Sequence, residues 1–203
     1  MNIKQSAARG ISFAFHPLIM TTLGFLLLMN SGFYFALLTY EAKQFILLVV
    51  FLSTCLLPLV SIGLMGLNTR FKLNMDKSTD RVIPMLVTSV FYYMGYYYLG
   101  RIPVYPIYRV FLISAILIIV LLMIISMRWK ISSHMAGIGG LIGVIIALSA
   151  RLNINSSLLL SLLIGIAGLT GTSRLILGKH NSIQIYAGFL IGFAVNYLII
   201  DYI

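Results

Sequence analysis

An all-α fold, a polytopic integral membrane helical bundle of six to seven transmembrane segments, is what this sequence predicts, and three observations carry that expectation. The 203 residues are 61% hydrophobic and only 9% charged, and their mean hydropathy is +1.05, whereas about a quarter of the residues in a soluble globular domain carry charge. Apolar runs long enough to cross a bilayer, about 17–25 residues at a rise of about 1.5 Å each, recur from end to end. No polar stretch the size of a soluble domain, no linker and no low-complexity segment interrupts them, so a single transmembrane domain over residues 1–203 is expected.

The elements follow in order. Lys4 and Arg9 precede an apolar run in the manner of a signal peptide, but no small-residue cleavage site follows and the run continues, which predicts a retained first helix. Seven candidate spans lie at roughly 17–39, 45–67, 83–99, 108–127, 134–150, 154–172 and 183–200. His16 stands before Pro17 at the head of the first, with no polar company nearby in the chain. The single cysteine, Cys55, sits mid-segment, where a packed thiol is expected and no disulfide framework exists. The segment 83–99 is short and its YYMGYYY stretch predicts an aromatic belt at a membrane interface, with an interfacial end or a tilted helix. Gly137, Gly139, Gly140 and Gly143 follow the polar residues SSH; no strand precedes them, so they predict close helix packing and no dinucleotide fingerprint.

Seven segments place three polar stretches on one membrane face: 67–81 (LNTRFKLNMDKSTDR), 128–134 (RWKISSH) and 172–181 (TSRLILGKHN). Each is separated from the next by a pair of apolar segments that leaves and returns, so the three are expected to meet in a cationic pocket. Low-dielectric walls would strengthen its pull on an anion. The connectors YEAK, GRIPVYPIYR and ARLN fall on the opposite face and look ordinary.

Net charge is +10, which on a membrane protein points to anionic headgroups and leaves nucleic acid an unexpected partner. The acids are only four, Glu41, Asp76, Asp80 and Asp201. Sites that hold Mg²⁺ or Ca²⁺ need clustered oxygen ligands, so metal-independent chemistry without a cofactor is expected.

His134 and His180 lie in the second and third polar stretches. Imidazole serves as acid, base or nucleophile near neutral pH; a buried, hydrogen-bonded histidine tying helices together is the plainer alternative. Arg174 and Arg81 carry planar donor forks that match phosphate oxygens, or they snorkel to headgroups. Lys77 shares a face with Arg81 if that stretch is helical, and otherwise is a solvated loop charge. Lys179 could contact a headgroup or the substrate. Ser132 and Ser133 can cap the following helix, whose N-terminal dipole attracts anions.

Taken together, these stretches resemble the type 2 phosphatidic acid phosphatases, whose helical core is shared with bacterial acid phosphatases and vanadium haloperoxidases. That family carries K-x6-R-P, P-S-G-H and S-R-x5-H-x3-D motifs in this order. Here the third reads Ser173-Arg174, five residues, His180, three residues, Gln184; the second reads Ile131-Ser132-Ser133-His134; the first keeps Arg81, with Asn74 at the lysine position and Pro84 three residues on. The resemblance implies a phosphatase-type helical core over about 67–200 and a lipid phosphate substrate held among membrane lipids. It also implies location in the bacterial inner (cytoplasmic) membrane. His180 would attack phosphorus, and His134 would protonate the leaving oxygen. Gln184, in place of the family's aspartate, would orient His180 without offering a negative charge. Arg174, Arg81, Lys77 and Lys179 would hold phosphate oxygens, and Ser132, Ser133 and Ser173 would add neutral donors.

Two other classes remain open. A phosphate-binding or transport protein of the same fold that has lost catalysis is suggested by Gln184 and the incomplete first motif. An intramembrane prenyl transferase needs aspartate clusters in two places, and only Asp76 and Asp80 lie close together. Ten lysines and arginines fall on the face of the three stretches against four on the other, six against four once Lys77, Arg81, Arg174 and Lys179 are set aside, so the side of the membrane stays open.

Overall fold

The computed structural model describes residues 3–31, 33, 37–67 and 77–202, and among these all regular structure is helical. The helices are α1 (Ile3–Ala14), α2 (Pro17–Asn30), α3 (Tyr40–Phe51), α4 (Leu57–Leu67), α5 (Val82–Leu99), α6 (Pro106–Ser126), α7 (Ser133–Leu152), α8 (Ser157–Ile176) and α9 (Ser182–Tyr202), with a π-helical turn at Leu52–Leu56 joining α3 to α4. Five stretches are long and apolar enough to cross a membrane: Tyr40–Leu67, α6, α7, α8 and α9; α1 and α2, bent by 56° at their junction, make a sixth if counted together. Helix α5, 18 residues with five tyrosines, is not among the five. Leu59, Leu64, Leu162, Leu190 and Leu198 are all more than half exposed. Such an apolar exterior is a liability in water and a match for lipid tails.

The chain forms two compact units, Met1–Met20 with Lys130–Ile203, and Thr21–Trp129. In the second, Phe25 stacks on Tyr108 and packs on Phe111, ring centroids 5.5 Å apart in both pairs, and Tyr108 is fully buried. The π-helical turn buries Ser53, Thr54 and Cys55, as the reading of Cys55 as a packed thiol expects. Hydroxyls join the helices there: Thr21 to Tyr92 at 3.0 Å and Thr22 to Thr54 at 3.1 Å, since a polar group in an apolar interior needs a partner.

The expected span 17–39 is shorter as helix, because α2 ends at Asn30. The Asn30 and Ser31 side chains donate to the carbonyls of Leu26 (2.8 Å) and Leu28 (2.7 Å), and Lys43 Nζ donates to Met29 O at 2.8 Å, so the last turn is closed off by side chains. Residues 68–76, which include Asn74 and most of the first polar stretch, lie outside the described residues. Lys77 precedes the short 3₁₀ turn Thr79–Arg81, so the helical face expected to join Lys77 to Arg81 does not form. The turn leads into α5 with Pro84 at its third position, where a missing N–H costs nothing.

The first unit is built on α7 and α9, which run parallel and touch backbone to backbone. A Cβ on Gly188 would lie 2.5 Å from Ser132 O, and one on Gly143 would lie 2.5 Å from Phe193 O; Gly139 meets Phe189 O and Gly192 meets Ala136 O in the same way. Gly139-x-x-x-Gly143 and Gly188-x-x-x-Gly192 are thus facing small-residue pairs. The close packing expected of Gly139 and Gly143 is present, and Gly137 instead meets Met20. Helix α8 returns the chain between α7 and α9, and α1 packs against α8.

Candidate active site

Parallel packing puts the N-termini of α7 and α9 at one end of the first unit, where α8 also ends. Ser132, fully buried, is the N-cap of α7 and accepts from Met135 N; its own N–H donates to Gln184 O at 3.3 Å. Helix α8 closes on Gly178, whose φ of +61° is the left-handed conformation glycine adopts without strain. Lys179 N–H then donates to Arg174 O at 3.1 Å, and the turn delivers His180 to the start of α9. The third polar stretch is therefore a helix C-cap followed by an N-cap.

Asn181 Oδ1 accepts from Gln184 N at 3.0 Å, and Gln184 Oε1 accepts from Asn181 N at 3.3 Å, a reciprocal capping box at α9. The same Oε1 lies 3.1 Å from His180 Nδ1. A side-chain amide oxygen carries no proton and can only accept, so Nδ1 donates, and neutral His180 carries its lone pair on Nε2. His180 itself is buried, 7% exposed.

His134 is the second residue of α7, half-buried, and its Nε2 lies 3.1 Å from Ser12 O. A carbonyl accepts, so Nε2 donates and Nδ1 is left to exchange a proton. Arg174, in the last turn of α8, donates from Nη1 to Ser12 Oγ at 3.5 Å. His134 and His180 stand at the starts of α7 and α9, at the same end of the unit. Two imidazoles with assigned donor nitrogens, one guanidinium and two helix N-termini at one end of a helix bundle make an arrangement able to attract an anion and move a proton.

Ser133 opens α7 and is half-buried. Ser173 is buried and gives its hydroxyl proton to Leu169 O at 2.7 Å, while the Lys179 residue is exposed. Arg81 and Lys77 belong to the other unit, with Lys77 exposed and Arg81 partly buried.

Compared with models of known protein families, with curated proteins and with solved structures, the chain matches none.

His16 does have polar company. Its ring meets that of His134 edge to face, centroids 5.4 Å apart and planes at 78°, and its Nδ1 accepts from Leu18 N at 3.4 Å. Ser12, buried on α1, contacts both His134 and Arg174. The contact from Ser12 to His134 closes across 122 residues, so no local pattern announces it. The one available signal is the His-Pro dipeptide, which predicts a break in the helix where a side chain can turn inward.

Proposed function

We propose that this chain is a membrane-embedded, metal-independent lipid phosphatase of the type 2 phosphatidic acid phosphatase kind, with six to seven spans, working in the cytoplasmic membrane of a bacterium. It removes phosphate from a lipid phosphomonoester or cleaves a lipid pyrophosphate. The observation that carries this reading is the bond from His180 Nδ1 to Gln184 Oε1, which places the lone pair of the neutral ring on Nε2, at the end of the unit that also holds Arg174 and His134.

In the proposed reaction His180 Nε2 attacks phosphorus, the bond from phosphorus to the leaving oxygen breaks with its electron pair going to that oxygen, and protonated His134 supplies the proton through Nδ1. Water then attacks the phosphohistidine with His134 taking its proton, so inorganic phosphate leaves and both imidazoles are restored. Arg174 and the dipoles of α7 and α9 offset the charge that gathers on the phosphoryl oxygens. The resemblance also assigns phosphate oxygens to Arg81, Lys77 and Lys179, and alanine substitution of each tests that assignment.

One observation favours a second reading, an anion-binding protein with little turnover. Gln184 is neutral, and its oxygen is shared between His180 and Asn181 N–H. It therefore orients the imidazole without stabilising an imidazolium as a carboxylate does.

Phosphate release by the purified protein decides between them, measured with chelator present on phosphatidic acid, phosphatidylglycerol phosphate, an isoprenyl pyrophosphate and lipid A phosphate. Release that survives chelation and disappears in His180→Ala is the expected result. No release from any of the four, with inorganic phosphate still bound, would favour the second reading.

A further inference from the structure

The three polar stretches do not account for everything that touches His134 and Arg174. Ser12 reaches both, through its carbonyl to His134 Nε2 at 3.1 Å and through Oγ to Arg174 Nη1 at 3.5 Å, and it is buried at 6% exposure. Four residues on, at the 56° bend before Pro17, His16 sets its ring against that of His134. Because Pro17 lacks an N–H, the first donor of α2 that needs an acceptor near the bend is Leu18, and His16 Nδ1 takes it. That bond fixes which edge of the His16 ring faces away from α2. The helix break, the cap and the ring contact are one device.

We infer that the segment Ser12–His16 is a fourth element of the site, in which Ser12 and His16 act as positioning residues: Ser12 aims Arg174 and holds His134 as the Nε2–H tautomer, and His16 locks the His134 ring so that Nδ1 faces the reacting phosphate. The inference rests on the proposed phosphatase reading for what Nδ1 does, and stands apart from it for how the ring is held. An imidazole with one nitrogen bound to a backbone carbonyl has only one edge left for proton exchange, so rotation of that ring would remove the acid from the reaction.

The test uses the full chain in detergent, with Ser12→Ala, Ser12→Thr, His16→Phe, His16→Asn and, as a control on exposed α1 surface, Lys4→Ala. His16→Phe keeps a ring against His134 and loses the cap; His16→Asn keeps a capping acceptor and loses the ring. We expect His16→Asn to lower kcat about tenfold with KM unchanged, and His16→Phe to stay within about threefold of wild type, as suits a residue that orients and does not bind. Ser12→Ala should raise KM and weaken inorganic phosphate binding about three- to tenfold through loss of a bond to a charged group, with Ser12→Thr restoring both. Lys4→Ala should change neither.

A second readout needs no turnover. In protein labelled with ¹⁵N-histidine and held at a pH where His134 is neutral, its resonance should report protonation at Nε2 in wild type and in His16→Phe, and a mixture of tautomers in His16→Asn. If wild type neither hydrolyses lipid nor binds phosphate, the phosphatase reading falls and the tautomer signature alone judges the positioning. A neutral His134 ring whose one proton sits on Nδ1 in wild type, or His16→Asn indistinguishable from wild type in both kcat and tautomer, overturns the inference.

Discussion

The parallel pair α7 and α9 is finished differently at its two ends. At the C-terminal end Arg151 donates from Nη1 to Ile200 O (2.9 Å) and Asp201 O (3.3 Å), and Asn153 turns the chain in the left-handed conformation. Every partner there is a backbone carbonyl that a helix end leaves open, so the charge is explained by the fold. At the N-terminal end the caps are made by Ser132 and Asn181, and still two imidazoles and a guanidinium are brought in. Arg174 stands in the last turn of α8, whose dipole favours a cation, and its Nη1 donates to the Ser12 hydroxyl on α1, a side chain and not a helix-end carbonyl. Two imidazoles and the side-chain contact of Arg174 are more than the caps require, and that contrast between the ends sets a candidate anion site apart from charge that only closes a helix.

The largest effect that sharpens this contrast is loss of the nucleophile. His180→Ala should reduce phosphate release by about a thousandfold or more, with thermal unfolding in detergent shifted little, because Gln184 keeps its capping box with Asn181. A variant that unfolds early would instead mark His180 as a helix tie.

Next comes the seam that aligns the two ends. Gly192→Leu drives a side chain into Ala136 O, where neither backbone can give way, and should destabilise the unit by about 1–3 kcal/mol or more. Gly165→Leu on α8, with open space around its Cβ position, is the matched control and should be near neutral. Equal unfolding temperatures for the two would refute the close parallel contact.

Gln184 offers a gain. Aspartate matches the family pattern, but the capping box shows that the side chain must reach back to Asn181 N while touching His180. Glutamate keeps that reach and adds a charge, so Gln184→Glu should raise turnover about tenfold, the worth of a bond to a charged group in place of a neutral one. Glutamate giving equal or lower turnover would remove Gln184 from the reaction and leave it a capping residue.

The helices were legible because apolar run length fixes them: 134–150, 154–172 and 183–200 differ from α7, α8 and α9 by a few residues at their ends. The contact of His180 with Gln184 was legible through their spacing along one stretch. Two further signals lay in plain view, the capping pattern Asn181-x-x-Gln184 and the pair Gly188-x-x-x-Gly192. Ser12 and His16 were not, because their partners are distant in the chain and a serine or histidine beside an apolar run has no periodicity to betray it. Pro17 explains the bend, and nothing local says what the bend holds.

The smallest effect tests the structural end. Arg151→Ala removes two donors from the last carbonyls of α9 at an exposed position, where water replaces them in part. The loss should be about 1 kcal/mol, or about 2–4 °C in unfolding temperature for a chain of this size. Lysine puts a point charge near the same carbonyls without the planar fork, so Arg151→Lys should recover only part of it. Phosphate release and phosphate binding should be unchanged in both, because the N-terminal end has its own caps and Arg151 serves only the far carbonyls. A change in turnover without a change in stability would mean that charge at the C-terminal end reaches the imidazoles, and the division of labour along α7 and α9 would fail.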